Sequence, residues 1–206
     1  MPTSPKNITL AILAGGEGSR MGQPKSLLRI NGRPILQLLL QQFNWPGPTL
    51  LITSPGKENP PGVDLFTNQA VDPVALQGPL RGIHTALQNS TTEITIITTV
   101  DMPGIGTDQL VWIIDTLDVH RGISGVLLSR KIDSAIQIEP FPCAFDKSSL
   151  PLIENRLARN ERSVQRLAND LSVSAIPAPD QWPKNVWTNL NSPEDLLRWS
   201  SDRDGE

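Results

Sequence analysis

The sequence predicts an α/β fold with a mostly parallel central sheet, and three observations lead there. Short runs of β-branched and apolar residues alternate with stretches of helical spacing. The two clearest runs, residues 8–13 (ITLAIL) and 93–100 (EITIITTV), lack the polar alternation of a half-exposed strand and read as buried on both faces. Both end abruptly, the first at Gly15-Gly16 and the second at Asp101. Strands joined by helices form parallel sheets, and ligands bind beyond the carboxyl ends of such strands. The glycine loop and Asp101 are therefore expected on one rim.

Each element has its own signal. Residues 34–43 (PILQLLLQQF) have helical spacing with a proline near the start. Residues 49–53 read as a second strand, closed by Ser54-Pro55-Gly56, and residues 57–62 as a polar, proline-rich loop. A short third strand is expected at 63–67 and a helix at 79–87. A further helix over 107–117 has Thr107 as its expected N-cap. Strands follow at 126–128 and 135–138, with Pro140 and Pro142 expected to interrupt what comes next. Residues 148–157 and 162–171 read as helical and 173–176 as extended. The last helix is expected at 193–199, capped by Ser192, with residues 201–206 a frayed tail. Residues 1–200 are expected to form a single domain.

Composition limits what such a protein does. Hydrophobic residues are 38% and charged residues 19% of the 206, a folded rather than disordered balance. No apolar run approaches the ~20 residues of a membrane-spanning helix. The first seven residues are polar, and there is one cysteine, Cys143, so no internal disulfide exists. A cytoplasmic protein is expected. The net charge of −3 argues against bulk nucleic-acid binding, and no membrane partner is expected. Before Glu58 the only acid is Glu17, against Lys6, Arg20, Lys25, Arg29, Arg33 and Lys57. That basic stretch suits a small anionic ligand.

Residues 13–28 (LAGGEGSRMGQPKSLL) carry the chemistry. Glycines at 15, 16, 18 and 22 let the backbone turn sharply and approach a ligand, and the amides of such a turn form an anion-binding nest. Arg20 adds a planar cationic fork and Lys25 a mobile point charge. These parts can hold a triphosphate and offset charge as pyrophosphate leaves. Two familiar phosphate loops are excluded. Lys25 follows Pro24 rather than glycine, and the spacing from Gly18 to Gly22 is one residue too long for a dinucleotide fingerprint.

Leu13-Ala14-Gly15-Gly16, Arg20-Met21-Gly22 and Lys25 resemble the signature of the molybdenum cofactor guanylyltransferases, within the nucleotidyltransferases of three-layer α/β/α, Rossmann-like fold. The resemblance continues at Gly78-Pro79-Leu80-x-Gly82, Asp101-Met102-Pro103, Glu161-Arg162-Ser163 and Asn189-Leu190-Asn191-Ser192-Pro193, spanning nearly the whole chain in order. It implies transfer of GMP from GTP to the terminal phosphate of molybdopterin, with magnesium as cofactor and GTP and molybdopterin as partners. It also implies that Leu13, Ala14, Gly15, Gly16, Lys25, Asp72, Gly78 and Asp101 contact GTP and that Asp101 binds magnesium. Arg20, Lys25 and Asp101 become the expected catalytic residues, and Arg162, Asn189 and Asn191 the expected acceptor contacts. Asp101, at the end of a buried strand, offers a hard oxygen ligand. Asp72 can accept from the N1–H and N2–H₂ donors of guanine or from a ribose hydroxyl.

The chain departs from the family at Thr53-Ser54-Pro55, where asparagine is common, and residues 21–25 (MGQPK) resemble cytidylyltransferase relatives. A cytidylyltransferase for the same cofactor, a nucleotidyltransferase for another phosphate acceptor and a non-catalytic nucleotide-binding regulator are the alternatives. The histidines, His84 and His120, have no partners at metal-ligand spacing, and His84 reads as a packing or surface residue.

Overall fold

A computed structural model describes residues 4–16, 18, 20–74, 77–120 and 122–203. Strand β1 (Ile8–Leu13) leads into the glycine loop, and a small hairpin follows, β2 (Arg29–Ile30) with β3 (Arg33–Pro34). Then come α1 (Ile35–Phe43), β4 (Thr49–Thr53), β5 (Asn68–Val71), α2 (Pro79–Asn89), β6 (Ile94–Thr99) and α3 (Thr107–Val119). The second half holds β7 (Gly125–Ile132), β8 (Ala135–Asp146), α4 (Leu150–Ala158), β9 (Val173–Pro177) and α5 (Pro193–Arg203).

Seven strands form one sheet in the order β5-β4-β1-β6-β8-β7-β9. Only β8 opposes its neighbours; the β5-β4-β1-β6 pairings and β7-β9 are parallel. Ile8, Leu10, Ala11 and Ile12 of β1 and Ile96 and Ile97 of β6 are fully buried, because helices cover both faces of this central pair. Helix α2 packs on β1, β4, β5, β6 and on α4. On another side the end of α1 is bonded to the start of α3: Thr107 Oγ1 donates to the carbonyl of Phe43 at 2.8 Å. Gly106, not Thr107, is the residue before the first turn of α3, and its N–H is taken by the Gln109 side chain at 2.9 Å. Thr107 is diverted from capping by its bonds to α1.

Four further expectations need correction. Residues 63–67 do not form a strand; Val63–Leu65 is a 3₁₀ turn and the edge strand lies later, at β5. The β5 residues are mostly exposed, so they lack the apolar signature of an inner strand. Pro140 and Pro142 do not interrupt β8, which runs through both. They lie opposite the register shift between Val126 and Leu128, where the ladder is irregular and missing N–H donors cost little. Within 162–171 only Gln165–Asn169 is helical, as a 3₁₀ turn. Finally, α5 continues to Arg203, past the expected end at residue 199, while residues 204–206 lie outside the described residues.

Candidate active site

The loop after β1 is built for close approach. Ala14 is buried and donates its N–H to the carbonyl of Ile52 at 2.8 Å, prolonging the strand by one residue. At Gly15 a Cβ would stand 2.6 Å from Ser54 Oγ, and that hydroxyl donates to the Gly15 carbonyl at 2.8 Å. The serine side chain thus occupies the space a larger residue would need. Gly18 has φ +58°, and the loop folds back so that Met21 N–H reaches the Gly18 carbonyl at 2.8 Å. Met21 is buried and anchors the turn in the core. Glu17 and Ser19 lie outside the described residues.

Pro24 ends the loop, and Lys25 opens a short 3₁₀ turn, Lys25–Leu27. Its ammonium donates to Asp101 Oδ2 and to Asn191 Oδ1, both at 2.6 Å. Asp101 Oδ1 accepts from Thr99 Oγ1 at 2.5 Å. Both members of the Lys25–Asp101 pair are largely buried, with 15% and 18% of their side chains exposed. Asn191 arrives from the far end of the chain. The N–H of Leu190 donates to the Asp101 carbonyl at 2.8 Å, and Asn191 N–H to Asp195 Oδ2 at 3.0 Å. Ser192 and Asp195 cap α5 reciprocally, as the serine's position leads one to expect. The Asn191 amide and the Ser192 cap hold the Asp195 carboxyl below the usual carboxylate range.

The opposite end of the site is formed by Asp72, which follows β5 and donates its N–H to the Thr53 carbonyl at 2.8 Å. Burial pushes its carboxyl above the usual range; the neighbouring Thr85 hydroxyl and the charges of Arg81 and His84 oppose that shift. Oδ1 of Asp72 is buried and makes no hydrogen bond among the described residues. Helix α2 begins beside it at Gly78, φ +74°, and lies close against the strand: a Cβ on Gly82 would meet Leu13 Cδ1 at 3.0 Å.

One cavity of about 520 Å³ joins the two ends, within the range of small-molecule sites. Its lining includes Leu13, Gly15, Gly16, Arg20, Lys25, Asp72, Gly78, Asp101 and Asn191, nine of the residues expected at the site. Gly15, Ser54, Asp72 and Asp101 follow four neighbouring strands. From β5 to β6 is three strand spacings, about 14 Å, the reach of an extended nucleotide rather than of a free phosphate. Ala14 does not line the cavity; it is buried in the core behind the loop. Asn189 is exposed and bonds back to Trp187, and Arg162 is exposed with its Nε on Asn160, so neither lines the cavity. Ser54, Gln77 and Thr99 line it and were missed. For Thr99 a signal existed, since it stands two residues before Asp101 at a strand end.

Two tempting side chains have other roles. His84 is buried, with Nε2 3.2 Å from Glu154 Oε1, tying α2 to α4. Cys143 is fully buried and burial pushes its thiol up, which makes it unreactive.

A glycine loop and a strand-end aspartate facing one cavity across a parallel sheet define a nucleotide-binding α/β protein. The chain belongs to the MobA-like NTP transferase domain family, whose model matches residues 10–174. It is therefore a nucleotidyltransferase by family. A molybdenum cofactor guanylyltransferase of Vibrio cholerae is 29% identical over 204 residues, covering 98% of this chain and 96% of that protein. The structure of molybdopterin-guanine dinucleotide biosynthesis protein A from Archaeoglobus fulgidus shares the fold at a TM-score of 0.76 and 21% identity, covering 96% of this chain and all of that one. A 2-C-methyl-D-erythritol 4-phosphate cytidylyltransferase from Thermus thermophilus shares it at 0.72 and 15% identity, covering 95% and 98%. Among the described residues no helix is long and apolar enough to cross a membrane.

Proposed function

We propose that the protein transfers GMP from GTP to the terminal phosphate of molybdopterin in the cytoplasm, releasing pyrophosphate. The observation carrying this reading is the Lys25–Asp101–Asn191 cluster at one end of a cavity whose other end presents Asp72. The triphosphate then lies along the loop amides and Arg20, with the base toward Leu13, Asp72 and Gly78. An acceptor phosphate oxygen attacks the α-phosphorus in line; the new P–O bond forms as the bond to the β-phosphate oxygen breaks, and pyrophosphate leaves with that electron pair. The acceptor is already ionised near neutral pH, so no general base is needed. Lys25 and Arg20 offset developing charge, and their positions are fixed before reaction.

Magnesium fits this donor set. Among the described residues no three acidic, histidine or cysteine side chains cluster, and a site with one carboxylate, Asp101, suits an ion whose remaining ligands are phosphate oxygens and water. When bound, it would supply charge neutralisation at the phosphates.

The nucleotide separates this reading from a cytidylyltransferase. Guanine presents the adjacent donors N1–H and N2–H₂ to an acceptor such as Asp72, whereas cytosine offers a smaller ring with a different donor pattern that leaves polar groups of the pocket unpaired. An unpaired buried polar group costs about 1–3 kcal/mol, so a preference for GTP of roughly a hundredfold is expected for two such losses. Specificity constants for GTP and CTP with one molybdopterin preparation test it, and a preference for CTP overturns it. Release of pyrophosphate in the same assay rules out a non-catalytic regulator.

Asp72 also gives the expected pH dependence. Guanine donors favour the ionised carboxylate, whereas burial raises the carboxyl of the free protein. GTP affinity should therefore be level while Asp72 is ionised and fall as pH drops through its raised value, at less acid pH than an ordinary carboxylate. Titrating GTP across pH with the wild type and Asp72→Asn checks this: the variant should lose the dependence.

A further inference from the structure

Gln77 is held at the mouth of α2 by a train of side chains that the proposed chemistry does not use. Arg81 Nε donates to Gln77 Oε1 at 2.7 Å. Arginine has donors only, so the amide oxygen of Gln77 must face it and the amide N–H₂ must face away. Arg81 is itself placed: its Nη1 lies 3.4 Å from His84 Nδ1, and His84 Nε2 lies 3.2 Å from Glu154 Oε1. The donor-only guanidinium makes Nδ1 the acceptor, so Nε2–H donates to Glu154. The train runs from α4 through buried His84 to the cavity wall, where Gln77 is half-buried and lines the same end as Asp72.

We propose that Gln77 reads the base, donating its amide N–H to O6 of guanine, with Arg81 as the positioning residue that fixes its orientation. The proposal rests on the GTP reading above and adds the half that Asp72 cannot supply. A carboxylate accepts from N1–H and N2–H₂, but O6 needs a donor, and Asp72 when ionised has none. The Gln77 amide nitrogen makes no hydrogen bond to another described side chain. A donor at Gln77 beside an acceptor at Asp72 matches guanine. It opposes adenine and cytosine, whose exocyclic amines are themselves donors.

A simple i, i+4 pair supporting the helix start would give the same Arg81–Gln77 contact. Gln77→Glu separates the two: it keeps a partner for Arg81 but replaces the pocket-facing donor with an acceptor. The measurement is the dissociation constant of the intact protein for GTP and for 2,6-diaminopurine riboside triphosphate, with magnesium, by calorimetry. The second nucleotide keeps the 2-amino group and carries an amine donor at position 6. The wild type should prefer GTP. Gln77→Glu should lower the ratio of affinities by roughly a hundredfold, and Gln77→Met by about tenfold, through weaker GTP binding. Arg81→Met should move the ratio the same way by less, since the freed amide can flip. A ratio unchanged in Gln77→Glu, or affinities that all fall together, would overturn the reader role. If the wild type binds GTP no more tightly than CTP, the GTP reading itself fails; if it prefers GTP and the Gln77 variants keep the ratio, only this inference fails.

Discussion

Asp101→Ala is expected to bring pyrophosphate release to background, a loss on the order of a thousandfold or more, while the protein stays folded. The carboxylate gathers Thr99 and Lys25 and is, among the described residues, the one acid lining the cavity at that end. Its backbone carbonyl, which accepts the Leu190 N–H, is untouched by the substitution. The C-terminal segment should therefore remain docked. The check is a turnover assay with GTP, molybdopterin and saturating magnesium, run beside a thermal melt. Magnesium-dependent activity near the wild-type level would mean that the metal is held elsewhere.

Lys25→Ala should lower kcat by about a hundredfold, the usual scale for removing one preorganised electrostatic donor. The ammonium holds Asp101 and Asn191 together at 2.6 Å each, so its removal also leaves two acceptors facing each other without a shared donor. Arg20→Ala should act in the same direction. Arg20 lines the cavity but makes no ion pair among the described residues, so its loss should disturb the fold less. Steady-state kinetics decide the role: a change confined to KM for GTP would make these binding groups rather than catalytic ones.

Much of this was legible in the residues because the central strands are chemically monotonous. β1 and β6 are inner strands, so their sequences advertise burial on both sides, and the loop and aspartate that follow them are placed by topology. β5 was misplaced for the converse reason. An edge strand with exposed Asn68, Gln69 and Val71 leaves no apolar pattern to find. The prolines of β8 misled because local propensity is overridden where a ladder is already irregular. Asn191 was found through resemblance, but no spacing rule could bring it to Lys25, since that contact depends on the path of the whole second half. Gln77 stood out by nothing in the sequence; its orientation is set by Arg81, four residues later, and by a histidine tied to another helix.

The bond between Lys25 and Asn191 joins residues 166 apart, whereas Lys25 and Asp101 are separated by 76. The length-dependent entropy of closing the longer loop is on the order of 4–5 kcal/mol, so this contact forms only after the intervening sheet has drawn its ends together. On the ribosome, the glycine loop and Asp101 emerge well before residue 191 is added. A chain stalled or cleaved short of that residue would carry the loop and its lysine without their third partner. The three-residue cluster is thus complete only once residue 191 has been added and the sheet has closed.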